Sequence, residues 1–508
     1  MERSAPDPPL EPPREDGTRT VVVGGSVAGL VTALLLARAG HDVEVFDRDD
    51  LTPAPDVEAA ARAAFRPAAP QIVHLHGYHP PMVAVLRERL PDVHTALLGA
   101  GAEPTPLADR MPASLADRSA RPGDEAFTGL LARRSTLDWV LRTAAACEPG
   151  VRLRGRTPVI GLVARTGDPP TVVGVRTDRG ERKADLVVDA SGRRCIVDPW
   201  LSRIGAQHPR MQVAECGAAY YSRHYRVRPG ARRPVPEHRF LVGLHPYFTV
   251  IMLASDRGTR SITLAPLVED APMRRLRAPE AHSAVARLIP PVGAWLDALE
   301  PISDVYVMGG LHNTLRRSVV DGRPVVLGLH AVGDAVCTTN PVGGRGISLV
   351  MRNAADLTDV VTAHPGDPWA QAIALDDAVE RNVAPWYAAQ ADGDSERLAA
   401  IRRALRGAPP APLPDVADGV TLNHLRAPPW STPSSSARSP RSRRCCASRP
   451  TSSVSHVSRV RSGQRSPPAT PSHRRLDRHV PTSSPPWTQR SETAPCRCRQ
   501  DAAPTAQW

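Results

Sequence analysis

The sequence predicts an α/β fold that opens with a Rossmann-like nucleotide-binding unit and closes with helices. Three observations predict it. A β-branched run enters a glycine turn, "VVVGGSVAGL" (Val21–Leu30), and an apolar helix pattern follows. Two later apolar strands end in acid-and-glycine turns, one at Asp189–Gly192 and one at Gly333–Asp334. The stretch between those two turns is rich in strand signals.

Thr20–Val23 reads as a buried strand. Leu30, Ala33, Leu34, Leu36 and Ala37 stand at helical spacing, and Gly40 fits the helix end. Val43, Val45 and Phe46 form a second strand that closes on Asp47, with Arg48 next. Strand, glycine turn, helix, strand and acid together predict a βαβ unit that holds a dinucleotide. Gly24 makes the tight turn and Gly29 lets helix and strand pack closely; Gly25 and Ala28 complete the loop. The helix N-terminus offers N–H groups to a pyrophosphate, and Asp47 is placed to accept from a ribose diol. Ser26 stands where the middle glycine of G-x-G-x-x-G belongs. Serine is the smallest substitute that can also donate a hydrogen bond. The bland alternative is a structural glycine turn in an empty α/β unit.

The 508 residues carry a net charge of +12. Residues 431–508 hold fourteen Arg against Asp477, Glu492 and Asp501, which leaves +1 for residues 1–430. A nearly neutral body excludes a nucleic-acid binder. The tail is rich in Ser, Pro and Arg and lacks apolar periodicity, so the expectation is disorder. It reads as a basic interaction tail or as a shifted reading frame in GC-rich coding DNA. The single Lys among 64 basic residues and the abrupt change near Pro428 fit the latter. Cys496 and Cys498 lack zinc spacing, and no metal is expected. The four body cysteines are scattered, which suggests reduced thiols. No stretch is long and apolar enough to span a bilayer, so the expectation is a cytoplasmic protein without membrane contact.

"ADLVVDASGRR" gives the strand Leu186–Val188 and the turn with Ser191 and Gly192. "GDAVCTTNPVGGRGI" places Pro341, Gly343, Gly344 and Gly346 before a helix starting near Ile347. The order of these motifs resembles FAD-dependent monooxygenases of the p-hydroxybenzoate hydroxylase superfamily. "RPAAPQIVHLHGY" (Arg66–Tyr78) resembles that family's flavin-approaching loop, and "RRSTLDWVLR" (Arg133–Arg142) resembles its Arg-x-x-Leu helix start.

The resemblance implies an FAD-binding domain of the glutathione-reductase type, interwoven with a β-sheet substrate domain. It implies FAD as cofactor, with Asp47 on the adenosine ribose, Arg134 near the pyrophosphate and Asp334 on the ribityl chain. NAD(P)H is the expected electron donor. The family's Asp-Gly is Ser191-Gly192 here, so a separate flavin reductase is the alternative donor. His74, His76 and His79 could be flavin-loop residues, solvated loop histidines or a metal cluster; the resemblance favours the first. His74 and His76 are the weak catalytic candidates. Tyr221, His224 and Tyr247 are the substrate candidates, although most aromatics there should be core. In a regular strand Tyr221 and His224 cannot both face the same way as Tyr220.

The expected organisation is a disordered N-terminus (1–18) and a first FAD-binding part (19–200). A substrate sheet (201–318) and a second FAD-binding part (319–366) follow. C-terminal helices (367–408) and a linker with tail (409–508) end the chain. The expected activity is hydroxylation or epoxidation of an apolar, aromatic or polyketide-like molecule by O2, through a flavin C4a-hydroperoxide. The alternatives are a reductase of the geranylgeranyl-reductase-like branch or a flavoprotein that only binds. Halogenation is not expected: flavin halogenases on the same scaffold carry a lysine between flavin and substrate and a W-x-W-x-I-P signature, whereas the one lysine here, Lys183, sits by a surface strand, and no such stretch exists.

Overall fold

Strand Arg19–Val23 forms the centre of a parallel sheet because its alternate side chains are apolar on both sides. This computed structural model describes residues 18–409, apart from 68, 112–115 and 236. All of these belong to the first of two units into which the chain divides, Met1–Arg449. The expectations for the N-terminal segment, the tail and its cysteines lie outside the described residues.

The parallel sheet has the spatial order Leu329–Ala331, Leu186–Asp189, Arg19–Val23, Asp42–Phe46, Val151–Arg154. Its strands come from four separated stretches of chain, so the domain is interrupted and resumed. Val22, Val45 and Val188 point to a helical layer with Leu30, Leu34, Leu137 and Val350. That layer is built by helices Val27–Arg38, Arg134–Cys147 and Gly346–Ala363. Val21, Val23 and Val187 point the opposite way, onto Val159, Leu162 and Val175. These come from an antiparallel meander, Val159–Arg165, Thr171–Thr177 and Gly180–Lys183. The chain therefore builds the two-sided cover that a parallel sheet requires.

The strand-rich middle forms a six-stranded antiparallel sheet. Its order is Phe240–Leu244, Phe248–Ala254, Thr259–Pro266, Tyr220–Val227 and Leu299–Pro301, with Tyr306–Met308 also paired to Tyr220–Val227. One face packs Tyr221, Tyr225, Val250, Met252, Ile262 and Leu264 onto Val292 and Trp295. The other carries Tyr220, Ser222 and His224 toward the loops of the nucleotide domain.

Helices Pro368–Asn382 and Ala384–Leu405 end the described chain. Asp367 caps the first by accepting from the N–H groups of Trp369 and Ala370. Among the described residues no helix is long and apolar enough to cross a membrane.

Candidate functional site

The glycine loop is tight because no side chain fits in it. Gly24 has φ +112°, and a Cβ there would lie 2.5 Å from the Ala190 carbonyl oxygen. A Cβ on Gly29 would lie 1.8 Å from the Gly24 oxygen. These two glycines thus pack the first loop against itself and against the Asp189–Gly192 turn. Gly25 is packed by Leu51, 2.5 Å from a would-be Cβ, and its N–H donates to Asp47 Oδ2 at 2.7 Å. Ser26 occupies the N-cap of the first helix without capping it. Its hydroxyl instead accepts from Arg134 Nη2 at 3.3 Å. The middle position of the motif has therefore become a contact for the arginine. Ala28 lies on the first turn and faces the Gly333 backbone, where a Cβ would approach it to 2.7 Å.

Asp47 is held in place by its own loop and by one arginine. Its carboxylate is buried and already engaged by the Gly25 and Asp49 N–H groups, and by Arg66 Nη2 at 2.9 Å. Arg66 also pairs with Asp49 at 2.9 Å and approaches Asp138 to 4.0 Å. Arg66, nineteen residues on, leaves no trace in local spacing as the partner of Asp47. Arg66 and Gly25 share Oδ2, while Oδ1 takes only the Asp49 N–H and keeps a lone pair for a further donor. Arg48 points to solvent.

The second and third motifs meet the first. Asp189 is buried, accepts from the Ser191 N–H at 2.9 Å and from the Cys195 thiol at 3.2 Å, and is shifted upward by burial. Ser191 Oγ accepts from the Ile196 N–H at 3.3 Å, and a Cβ on Gly192 would meet open space. Gly333 has φ +65°, and its N–H donates to Asn353 Oδ1 at 3.1 Å, which ties the Gly-Asp turn to the last layer helix. Burial raises the Asp334 carboxyl, while Arg134 and Arg193 hold it down. Arg134 Nε is buried without a hydrogen-bond partner. A carboxylate in a field of arginines and a buried guanidinium donor without a partner thus lie near the first helix N-terminus. Those features suit a ligand with phosphates and hydroxyls.

The helix after the glycine loop starts at Gly346 rather than Ile347, with Ile347 buried. Pro341–Gly343 forms a short turn. Gly344 has φ +63°, and a Cβ there would lie 2.8 Å from His79 Nε2. His79 Nε2 donates to the Gly343 carbonyl at 3.0 Å, so it pins the two loops together.

The three loop histidines take separate partners. His74 is buried and bonds Ser222 Oγ at 2.9 Å through Nδ1; burial and then His224 push it down to about 4. His76 Nδ1 donates to the His74 carbonyl at 3.0 Å, which leaves the Nε2 lone pair available. Burial, followed by Arg134, pushes His76 down to about 3. Both imidazoles are neutral at physiological pH.

Strand alternation separates the substrate candidates. His224 shares its face with Tyr220 and Ser222; its Nε2 donates to Val73 O at 2.8 Å and its Nδ1 accepts from Ser261 at 2.7 Å. Tyr221 lies on the opposite face, packed inside the core rather than beside Tyr220 and His224. Tyr247 sits in the turn between two strands, 44% exposed. Tyr220, missed as a site residue, donates its hydroxyl to Asn340 of the third motif. A surface cavity of about 390 Å³, near Ile160, Arg165 and Trp200, contains none of these residues.

Comparisons with known proteins bear on the fold. An NAD(P)-binding Rossmann-like domain model matches residues 22–88. Protein Rv3254 of Mycobacterium tuberculosis is 26% identical over 68% of this chain and 73% of its own. PqsL of Pseudomonas aeruginosa, described as a probable FAD-dependent monooxygenase, superposes with a TM-score of 0.52 at 14% identity, over 76% of this chain and 96% of that one. The myxobacterial chondrochloren halogenase CndH gives 0.53 at 17% identity, over 73% and 81%. p-Nitrophenol 4-monooxygenase PnpA of Pseudomonas putida gives 0.50 at 19% identity, over 74% and 88%. From its glycine loop to its C-terminal helices, this chain has the fold shared by FAD-dependent monooxygenases and FAD-dependent halogenases.

Proposed function

We propose that this chain binds FAD and oxygenates an apolar, aromatic or polyketide-like small molecule, with NAD(P)H as the ultimate reductant. The observation that carries the reading is the meeting of Ser26, Arg134 and Asp334 from three distant segments. Arg134 keeps a buried donor without a partner, beside the N-cap residue of the first helix. FAD, when bound, would supply electron transfer and oxygen activation.

The chain's own residues do the rest. Arg134 neutralises phosphate charge and is steered by the Ser26 hydroxyl. Asp334 accepts from hydroxyl groups of the ribityl chain. Gly24, Gly29 and Gly333 let the three motif turns pack against one another without Cβ clashes. Ser191 and Gly192 shape the second turn beside it. His76 offers a neutral Nε2 lone pair that can hold a hydroxyl proton of ligand or substrate. His74 and His224 have ring nitrogens tied to Ser222, Ser261 and Val73, and they fix the loop that carries His76.

The register of the antiparallel sheet supports an apolar substrate. Val242 lies opposite Ile251, Ile251 opposite Thr263, and Thr263 opposite Ser222. Phe240 and Leu244 flank Val242 on that face, and Val242 is 36% exposed. Apolar Val242 and Ile251 thus continue one cross-strand row into the buried polar pair Ser222 and Thr263.

Oxygenation is preferred to halogenation because Lys183 is exposed on the last strand of the meander. That strand covers the side of the parallel sheet opposite the cofactor helices. The test is steady-state consumption of NAD(P)H and O2 by the flavin-loaded protein with aromatic and polyketide-like compounds. Substrate-stimulated consumption with an oxygenated product supports the reading; flavin reduction without oxygen incorporation from O2 overturns it.

A further inference from the structure

The C-terminal helix Ala384–Leu405 reaches the loop that follows the Gly-Asp turn through a buried polar network. Its centre is Asp394, 4% exposed. Asp394 Oδ1 accepts from Asn340 Nδ2 at 2.9 Å and from Gln390 Nε2 at 2.8 Å; Oδ2 accepts from Asn313 Nδ2 at 2.8 Å. Asn313 Oδ1 in turn accepts the Asn340 backbone N–H at 2.7 Å. The Asn340 side-chain oxygen receives the Tyr220 hydroxyl and the Val342 N–H. Every bond around Asn340 is thus directional: Tyr220 donates to Asn340, and Asn340 donates to Asp394.

Two more residues of the helix touch the same loop. Gln390 Oε1 accepts from Arg345 at 3.1 Å and would lie 2.4 Å from a Cβ on Gly343. The Arg345 guanidinium sits 5.4 Å from the centre of the Trp386 ring. Trp386, Gln390 and Asp394 recur every four residues, so one stripe of this helix addresses one loop. Buried polar side chains are costly unless every member is satisfied, and a satisfied network fixes one geometry. Four polar residues from three separate elements, Gln390, Asp394, Asn313 and Tyr220, all aimed at one turn, exceed what helix docking alone requires. The apolar contacts of Leu398 and Ile401 already dock the helix.

We propose that Asp394 is a positioning residue for the flavin site: it holds the Asn340–Gly346 loop in its binding shape, with Tyr220 as the link to the substrate-facing sheet. The inference rests on the FAD reading above. It makes the C-terminal helix part of the cofactor site, and it makes Tyr220 the side chain through which a ligand on the sheet face would be felt at that loop.

The experiment compares the full chain with Asp394→Asn and Tyr220→Phe. Asp394→Asn keeps the shape but sets an NH2 group against an amide donor. Tyr220→Phe removes one hydroxyl. FAD affinity is read by flavin fluorescence on titration into apoprotein, together with the visible circular dichroism and midpoint potential of the bound flavin. Apoprotein melting is read in parallel. The expected result is FAD affinity weakened about tenfold or more in Asp394→Asn. A shifted flavin dichroism or potential is expected in both variants, with apoprotein melting lowered less in Tyr220→Phe. A merely structural network would lower melting and leave the bound-flavin signals unchanged, and that outcome overturns the proposal. If Asp394→Asn does not fold, Tyr220→Phe decides alone: wild-type flavin signals refute the inference. If the wild type itself takes up no FAD, the FAD reading fails and this inference falls with it; if only the variants match wild type, the FAD reading stands.

Discussion

Burial lifts the Asp334 carboxyl, with Arg134 and Arg193 acting against it. A carboxyl whose folded pKa lies above its unfolded value destabilises the fold as it ionises, so apoprotein stability falls as pH rises through that folded value. Asp334→Asn removes this cost and also removes an acceptor for ribityl hydroxyls. The apo variant should melt above wild type at pH 8, the gap closing toward pH 4, while FAD affinity drops by about 1–2 kcal/mol. Melting curves across pH and FAD titrations check both; a variant that melts lower at pH 8 contradicts the burial argument. At Ser26 the change back to the usual glycine removes only a 3.3 Å contact with Arg134. Ser26→Gly should therefore retain FAD with a loss of about 0.5–1.5 kcal/mol or less. A complete loss of flavin would show that the hydroxyl itself carries the site.

The first βαβ unit was legible in the sequence because both of its periods are local: alternating valines in the strands and apolar residues at helical spacing in the helix. Gly24 and Gly29 were read correctly for the same reason, since each acts on a neighbouring turn. Two glycines give opposite expectations. Gly29→Ala forces a Cβ to 1.8 Å from a backbone oxygen and should cost about 1–3 kcal/mol or more of stability. Gly346→Ala meets nothing within 4 Å in the protein and sits at the start of a helix, so apoprotein stability should hold or rise by about 0.5–1 kcal/mol. If Gly346→Ala weakens FAD while the apoprotein is unharmed, the cofactor passes over that backbone. Denaturant unfolding and FAD titration of both variants check the pair.

The contacts that the sequence did not disclose are all long-range and polar. Arg66 on Asp47 and Asp394 on Asn340 join residues through pairs that no periodicity announces. Polar residues such as Gln390 and Asp394 in a terminal helix look like a solvated face until the fold buries them. The choice between Tyr220 and Tyr221 was half legible: alternation dictated that they oppose each other, and only the tertiary packing of Tyr221 against the second core decided which one faces the loops.

At the scale of the whole molecule, four separated stretches build one parallel sheet, and a second, antiparallel sheet meets its loops through Ser222–His74 and Tyr220–Asn340. Lys183 lies outside that meeting place, so no chlorinated or brominated product should form with saturating halide, and Lys183→Ala should leave substrate turnover unchanged. A halogenated product that vanishes in Lys183→Ala would contradict this placement. The central claim, that Ser26, Arg134 and Asp334 frame an FAD site, is tested most directly by the flavin content of the purified chain. The protein should carry noncovalent flavin absorbance, or regain an equimolar amount when the apoprotein is given excess FAD, and Arg134→Ala should reduce it. A wild-type protein that shows no flavin absorbance even after that reconstitution would contradict the account.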